Sequence, residues 1–273
     1  MKTYKRVLTI AGSDSGGGAG IQADLKTISS LGCFGTSVIT AITAQNTIGV
    51  TAIHPIPPEI VEKQLNAVLS DIGTDAIKIG MLHSAEIIKT VAGALKKFKL
   101  KKIVLDPVMV ATSGDKLIED NTVDALIRYL FPLVEIITPN IPEAEILTGS
   151  KIITRDDMND SALKLLTYGN SSVLLKGGHL KGGDVLYDIY VHKVRKGNIR
   201  IFKNRYINTD NVHGTGCTLS SAIASFMAHG EETEVAVEKA INYLQGAIQH
   251  GMNYRTGHGH GPVNHFFNPK KLI

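Results

Sequence analysis

Short, nearly uninterrupted apolar runs, each closed by glycine or polar residues and followed by a helix-length stretch, constrain this chain more than any other feature. Val7-Leu8-Thr9-Ile10, Ser37 to Ile42, Ala76 to Ile79, Ile103 to Leu105, Val134 to Ile137 and Val173 to Leu175 lack the alternation of half-exposed strands. Such runs are expected to be covered on both faces. Helices are expected over Ile21 to Leu31, Glu59 to Leu69, Ala85 to Phe98, Val123 to Leu130, Asp157 to Tyr168 and Val235 to His250. Strands alternating with helices imply a three-layer α/β/α architecture around a central, mostly parallel sheet. Asp184 to Tyr190 and Asn198 to Phe202 are expected to form a hairpin turning at Lys196-Gly197. No repeat, low-complexity block or linker interrupts the pattern, so residues 1–273 are expected to form one domain.

Composition removes several function classes. Aromatic residues make up 5% and there is no Trp, which argues against a surface that stacks nucleic-acid bases. The formal charge of +4 is small for 273 residues, and the densest basic stretch, Lys96 to Lys102, reads as a solvated edge. Cys33 and Cys217 are the only cysteines and lie in unrelated contexts, so neither a disulfide framework nor a CxxC zinc pair is present. No apolar run approaches the roughly 18–20 residues of a membrane span, and the basic start is followed by only a strand's length of apolar residues. A cytoplasmic protein is expected.

Ligands of open α/β sheets sit at the carboxyl ends of the strands. Six of these ends are glycine-rich or polar: Gly12-Ser13-Asp14, Gln45-Asn46-Thr47, Gly80-Met81, Asp106-Pro107, Thr138-Pro139-Asn140 and Lys176-Gly177-Gly178. One crevice accounts for all six. The P-loop pattern GxxxxGK[ST] is absent. The run Ser15 to Gly20 resembles a dinucleotide turn, but Ile21 stands where the third glycine belongs and no acidic residue ends a second strand at the required distance. Five glycines between Gly12 and Gly20 exceed the needs of one turn and point to close backbone approach to a ligand. Later, Gly214-Thr215-Gly216-Cys217 opens a helix of small residues reaching about Met227. Its unpaired N–H groups and the helix dipole make an anion site suited to the charge on a transferred phosphoryl group.

A late Gly-x-Gly at a helix start is the signature of ribokinase-like kinases, which usually follow it with Asp as catalytic base; Cys217 stands there in this chain. The chain is similar to the branch that holds hydroxymethylpyrimidine and phosphomethylpyrimidine kinases and a group of pyridoxal kinases. Matching segments run from Ala11 to Asp24, Thr43 to Thr47, Lys78 to Leu82, Asp106 to Met109, Thr138 to Ala144 and Leu175 to His179. The resemblance implies a ribokinase-like fold, ATP and Mg²⁺, a homodimer, and phosphorylation of 4-amino-5-hydroxymethyl-2-methylpyrimidine and then of its monophosphate. A pyridoxal kinase is the alternative, disfavoured by Gln45-Asn46-Thr47 and by Ala111 where relatives that hold the aldehyde carry cysteine. A catalytically silent pyrimidine-binding regulator is the second.

Residue by residue, the resemblance puts Gly12, Asp24, Gln45, Met81 and Val108 at the pyrimidine. A carboxamide at Gln45 offers the donor and acceptor that an aminopyrimidine edge requires. The nucleotide falls to Asp106, Thr138, Asn140, Glu143 and Lys176, with Asp106, Asn140 and Glu143 as oxygen donors to Mg²⁺, partly through water. Asn140 and Glu143, three apart, also suit a helix cap, and Glu143 is expected on the surface of that helix start. Gly214, Thr215, Gly216 and Cys217 form the catalytic turn. The helix start favours a Cys217 thiolate able to act as base for the first phosphorylation, while ATP phosphates oppose it. His258, His260 and His265 invite a metal reading, but no carboxylate or Cys accompanies them, and the Gly-His-Gly-Pro ending recurs in the resembled family.

Overall fold

The structure is a computed structural model that describes residues 2–109, 121–178, 180, 184–195 and 198–272. The expected hairpin turn at Lys196-Gly197, Ala111 and His179 lie outside the described residues. Each apolar run becomes a strand: β1 (Arg6–Asp14), β2 (Phe34–Gln45), β4 (Ala76–Ile79), β5 (Ile103–Leu105), β6 (Ile136–Ile137) and β7 (Ser172–Leu175). β1 pairs in parallel with β2 and β4, and the parallel run continues through β5 and β6 to β7. The hairpin strands β8 (Val185–His192) and β9 (Ile199–Arg205) extend the sheet antiparallel. A further antiparallel strand on the opposite edge, β3 (Val50–Pro55), was not expected from the sequence. The nine strands run in the order β3-β2-β1-β4-β5-β6-β7-β8-β9, so the chain reverses direction across the sheet at β1 and β4. Crevices at such reversals take ligands.

Both faces of the central strands are covered. Leu8, Ile10, Ile77, Ile79, Ile103, Leu105, Val173 and Leu175 face one apolar layer, built from α2 (Pro58–Ala67), α3 (Ala85–Lys97), α4 (Thr122–Ala125), α5 (Ile141–Thr148) and α6 (Arg155–Leu166). Val7, Ala76, Val104, Ile136 and Leu174 point the other way, into α1 (Gly20–Ser30), α7 (Thr215–Ala228) and α8 (Thr233–Gly251). The period-2 alternation of strand side chains therefore feeds two cores, which makes three layers. The helices expected over Glu59 to Leu69 and Val123 to Leu130 form, but each closes in a π turn, Val68–Ile72 and Leu126–Leu130. α7 is packed so tightly that every residue from Thr218 to Ala228 is buried. Its Ser220, Ser221, Ala222, Ala224 and Ser225 are small enough to let it lie against the strands.

Within this apolar interior lies one buried ion pair. Lys78 Nζ of β4 sits 2.8 Å from Asp24 Oδ2 of α1, both side chains fully buried. Asp24 also accepts from Thr9 Oγ1 of β1 at 2.6 Å and from Ser221 Oγ of α7 at 2.7 Å. Two charges that each lose all water remain stable only through such mutual compensation. Lys78→Met, which leaves Asp24 buried without its cation, is expected to cost about 3–5 kcal/mol. Adding Asp24→Asn is expected to recover a substantial part. Urea midpoints of the two variants check both statements.

Candidate active site

A cavity of about 670 Å³ lies over the carboxyl ends of the strands. Gly12, Gln45, Met81, Val108, Asp106, Asn140, Glu143, Lys176 and the turn Gly214–Cys217 all line it, as the single-crevice expectation required. Thr138 and Asp24 do not. Thr138 is fully buried and its Oγ1 donates to Asp106 Oδ1 at 3.1 Å, so it positions that carboxylate and does not face the cavity. Asp24, expected beside the pyrimidine, lies beneath the wall as the partner of Lys78. Lys78 itself reaches the lining, and the sequence reading missed it.

The glycine-rich loop after β1 is organised by Asp14. Its carboxylate accepts from the N–H groups of Gly16 at 2.8 Å, Gly18 at 3.1 Å and Ala19 at 2.8 Å, and lies 2.9 Å from His213 Nε2. Burial would raise the Asp14 carboxyl, but the His213 contact and these amides outweigh it and hold it below the usual range. An ionised carboxylate only accepts, so His213 Nε2 must carry a proton toward Asp14. Gln45 Nε2, 3.5 Å from the same His213 nitrogen, therefore finds no acceptor there and is left to serve the cavity. The other end of that carboxamide, Oε1, accepts from Thr43 Oγ1 at 3.1 Å. Gly-Gly-Gly after an Asp was the signal available for the Asp14 role.

Gly214 holds φ of +80° as the N-cap of α7, a conformation that favours glycine. Thr218 N is the first amide bonded back into the turn, to Gly214 O at 2.8 Å. The N–H groups of Gly216 and Cys217 have no backbone acceptor among the described residues. A Cβ on Gly216 would sit 3.2 Å from Asp106 Oδ2 and 3.4 Å from Lys176 Nζ, so this helix start adjoins the charged pair of β5 and β7. That pair is close: Lys176 Nζ to Asp106 Oδ1 is 2.8 Å. Burial pulls the Lys176 ammonium down, yet Asp106 and Glu143 overcome this and leave it raised.

Two expectations are corrected here. Glu143 is 6% exposed, not a surface residue. It forms a reciprocal capping box with Asn140: each backbone N–H donates to the other's side-chain oxygen at 2.8 Å. Burial drives the Glu143 carboxyl up to about 7, against the pull of Lys176 and with the push of Asp106. Cys217 is partly exposed at the cavity wall, yet sunk deep enough among protein atoms that burial pushes its thiol up to about 11. Lys78 opposes that shift, while Asp24 and Asp106 add to it. A resting thiolate is therefore not what the helix start delivers.

For Mg²⁺ the donor set fits in part. Asn140 Oδ1 accepts one hydrogen bond in the capping box, which leaves it a single lone pair for an ion or its water. Asp106 Oδ2 and Glu143 Oε1 accept no hydrogen bond among the described residues. No cluster of three His, Cys, Asp or Glu capable of holding a metal occurs among the described residues. Two free carboxylate oxygens beside a phosphate-binding turn suit an ion held through water and phosphate oxygens. The histidine tail gives no metal site among the described residues: His258 and His260 are exposed and His265 is buried, its imidazole pushed down to about 4 by burial.

The chain matches the family model described as phosphomethylpyrimidine kinase over residues 14–264. It is 47% identical over 267 residues to the hydroxymethylpyrimidine/phosphomethylpyrimidine kinase of Haemophilus influenzae, covering 97% of this chain and 98% of that protein. Other curated relatives are bifunctional thiamine biosynthesis proteins, of which the chain spans about half the length. The crystal structure of phosphomethylpyrimidine kinase from Clostridium difficile 630 superposes with a TM-score of 0.79 at 48% identity, covering 89% of this chain and 99% of that one. The pyridoxal kinase of Staphylococcus aureus in complex with AMP-PCP and pyridoxal superposes with a TM-score of 0.86 at 35% identity, covering 97% and 94%.

The raised Glu143 carboxyl has a consequence for stability. Its proton is bound more tightly in the folded chain than in the unfolded one, where the ordinary value is 4.5. Its contribution is thus complete below about 4.5 and is lost as pH rises through about 7. The ligand-free protein should lose stability across that window, at no more than about 1.4 kcal/mol per pH unit from this group. In Glu143→Gln that component should vanish. Urea titrations of both proteins between these pH limits measure it.

Proposed function

Because this chain belongs to the phosphomethylpyrimidine kinase family, we propose that it transfers a phosphoryl group from MgATP to the hydroxymethyl group of 4-amino-5-hydroxymethyl-2-methylpyrimidine, and then to the resulting monophosphate, in thiamine biosynthesis. One observation carries this reading. The amides of Gly216 and Cys217, without a backbone acceptor among the described residues, the Asp106–Lys176 pair and the carboxamide of Gln45 line one cavity. An anion site and an aminopyrimidine-matching edge thus face a common volume.

The proposed roles are consistent with this geometry. Gln45 Nε2 donates to a pyrimidine ring nitrogen, and its Oε1 retains a lone pair for the exocyclic amine. Met81 and Val108 pack the ring, and Gly12 lets Met81 lie against the backbone there, since a Cβ at that position would sit 2.5 Å from Met81 Cε. Lys176 faces phosphate as a point charge, while Gly216 and Cys217 present their amides to the phosphoryl group in transit and Gly214 and Thr215 shape the turn, the Thr215 N–H donating to Val212 O at 3.3 Å. Asp106 and Glu143 would hold Mg²⁺ largely through water, and the ion would neutralise charge shared between neighbouring phosphates. Asn140 acts by holding Glu143 in the cap.

Several coarser features belong to the same proposal. Both apolar layers pack on one sheet, which supports a single kinase domain over residues 1–273. The edge flap of β2 and β3 exposes Ile42 and Ile48, which supports a homodimer. No helix among the described residues is long and apolar enough to cross a membrane, in keeping with a cytoplasmic enzyme. Pyridoxal phosphorylation is the competing reading, favoured by the superposition on the Staphylococcus aureus enzyme. A silent pyrimidine binder is disfavoured by the convergence of Lys176, Asp106 and the anion turn on one cavity.

Purified protein incubated with MgATP and either the pyrimidine alcohol or pyridoxal decides among these. Mono- and then diphosphate should form from the pyrimidine; phosphorylation of pyridoxal alone would overturn the proposal. Gln45→Leu should weaken pyrimidine binding by about 1–3 kcal/mol, with ATP affinity unchanged, because a buried polar edge loses its partner. Calorimetric titration with each ligand measures this. The high thiol value also changes the expectation for Cys217. A general base contributes roughly 10²- to 10⁴-fold, and only to the first phosphorylation, since the monophosphate oxygen is already ionised. With the thiol protonated, Cys217→Ala should slow both steps about equally and by less than roughly 10²-fold. Single-turnover assays of each step separate the two outcomes.

A further inference from the structure

The glycine-rich segment that follows α8 touches both halves of the site. Thr47, two residues beyond Gln45, carries the first contact. Its Oγ1 accepts from the N–H of His258 at 3.2 Å and of Gly259 at 3.1 Å, and its carbonyl oxygen accepts from His260 N at 3.0 Å. The strap lies flush there because it lacks side chains. A Cβ on Gly259 would collide with the Thr47 carbonyl oxygen, and one on Gly257 with its hydroxyl.

The second contact is to the loop that delivers the anion turn. Gly261 O accepts from His213 N at 3.0 Å, and His213 precedes Gly214 directly. Pro262 forms a bridge with His213, and a Cβ on Gly261 would strike Asn211 Oδ1. Asn211 is 9% exposed and closes the segment from its other end: its Nδ2 donates to Gly251 O at 2.8 Å and Tyr254 O at 2.6 Å. None of the residues from 252 to 262 lines the cavity. The segment meets the Gln45 loop through Thr47 and the loop before α7 through Asn211 and His213, and Pro262 also packs beside Gly18.

We infer that residues 251–262 form a positioning strap, in which Thr47 and Asn211 set the separation between the acceptor-recognising Gln45 and the phosphoryl-binding turn at Gly214–Gly216. The inference rests on the proposed kinase reaction for its kinetic readout, and on geometry alone for the other. Phosphoryl transfer depends mostly on positioning, and a misplacement of about 1 Å can cost on the order of 10²-fold. Two remote loops at the carboxyl ends of β2 and before α7 have no covalent reason to keep register. Ser15 ties the first to the β1 loop and Asp14 ties that loop to His213, and a strap hydrogen-bonded to both adds a second tie from the outside.

Thr47→Val tests this, because it keeps the branched shape and removes the acceptor for two strap amides. Thr47→Ser, which restores the hydroxyl, is the control. For the valine variant we expect kcat on the pyrimidine alcohol to fall roughly 5- to 30-fold, within the range that misplacement allows. KM for ATP should stay within about twofold, because the nucleotide contacts are not touched. Serine should recover most of the rate. Amide hydrogen exchange on the full chain gives a readout that needs no substrate: the valine variant should exchange faster at 213–216 as well as at 45–47 and 258–260. Faster exchange confined to 45–47 and 258–260, or wild-type kcat in the valine variant, would overturn the strap. If wild-type protein turns over no pyrimidine, the proposed reaction fails while the exchange result still decides the strap.

Discussion

A single buried charge pair fixes the geometry on which the site depends. Lys78 and Asp24 have no solvent to fall back on, so each must stay where the other is. Through Thr9 and Ser221 the pair also fastens β1 and α7, the two elements whose ends carry the glycine-rich loop and the anion turn. An apolar pair of similar volume could fill the same space, but it would not select one rotation of α7 about its axis. Hydrogen bonds to Asp24 do. The pair further sets the field around Cys217, since Lys78 draws the thiol down while Asp24 and burial drive it up.

The polar wall above the pair is built by the same logic of compensation. Asp106 is held by Thr138 and Lys176, Glu143 by Asn140, and Asp14 by three amides and His213. Asp106 and Asp14 are each engaged by a partner from a distant part of the chain, while Glu143 is engaged by the cap of its own helix. The consequence is rigidity: loops that would otherwise sample many conformations are tied to strand ends by charge-assisted hydrogen bonds, which are roughly twice as strong as neutral ones. Preorganisation of this kind is what lets dipoles stabilise a charge in transit without having to reorient.

The parts legible in the sequence were those encoded locally. Ala76 to Ile79 and Ile103 to Leu105 matched their strands because both faces are covered, which leaves an unmistakable apolar run. The turn at Gly214, Thr215 and Gly216 was legible as a helix start because its glycines encode the backbone conformation locally, Gly214 at φ +80° being the N-cap of α7. Asn140 and Glu143 were legible as both a cap and a site, and they are in fact both near the cavity and in the capping box. What was not legible is encoded at a distance. β3 has no buried residue, ends in Pro55 and exists by pairing with β2. Lys78 reads as an interruption of a strand until its partner, 54 residues earlier, is known. The depth of Cys217 and Glu143, which sets their proton affinities, comes from packing of elements far apart in sequence.

These pairings bear on how a phosphate would be held. Lys176 is matched by Asp106 and Lys78 by Asp24, so the cations that line the inner cavity bring little net charge. Affinity for a phosphoryl group then rests on the amides of Gly216 and Cys217, the dipole of α7 and the orientation of Lys176. Dipoles act over shorter distances than net charge and only along the direction in which they point. A site of this design discriminates by where the phosphate sits rather than by how much charge it carries. That suits a cavity proposed to accept first an alcohol and then a monophosphate, because the extra charge of the second acceptor is not itself the feature read. It also makes the ties between Gln45 and Gly214 matter, through Asp14 and His213 inside the cavity and through the proposed strap outside it, since no strong net field would draw a misplaced phosphate back.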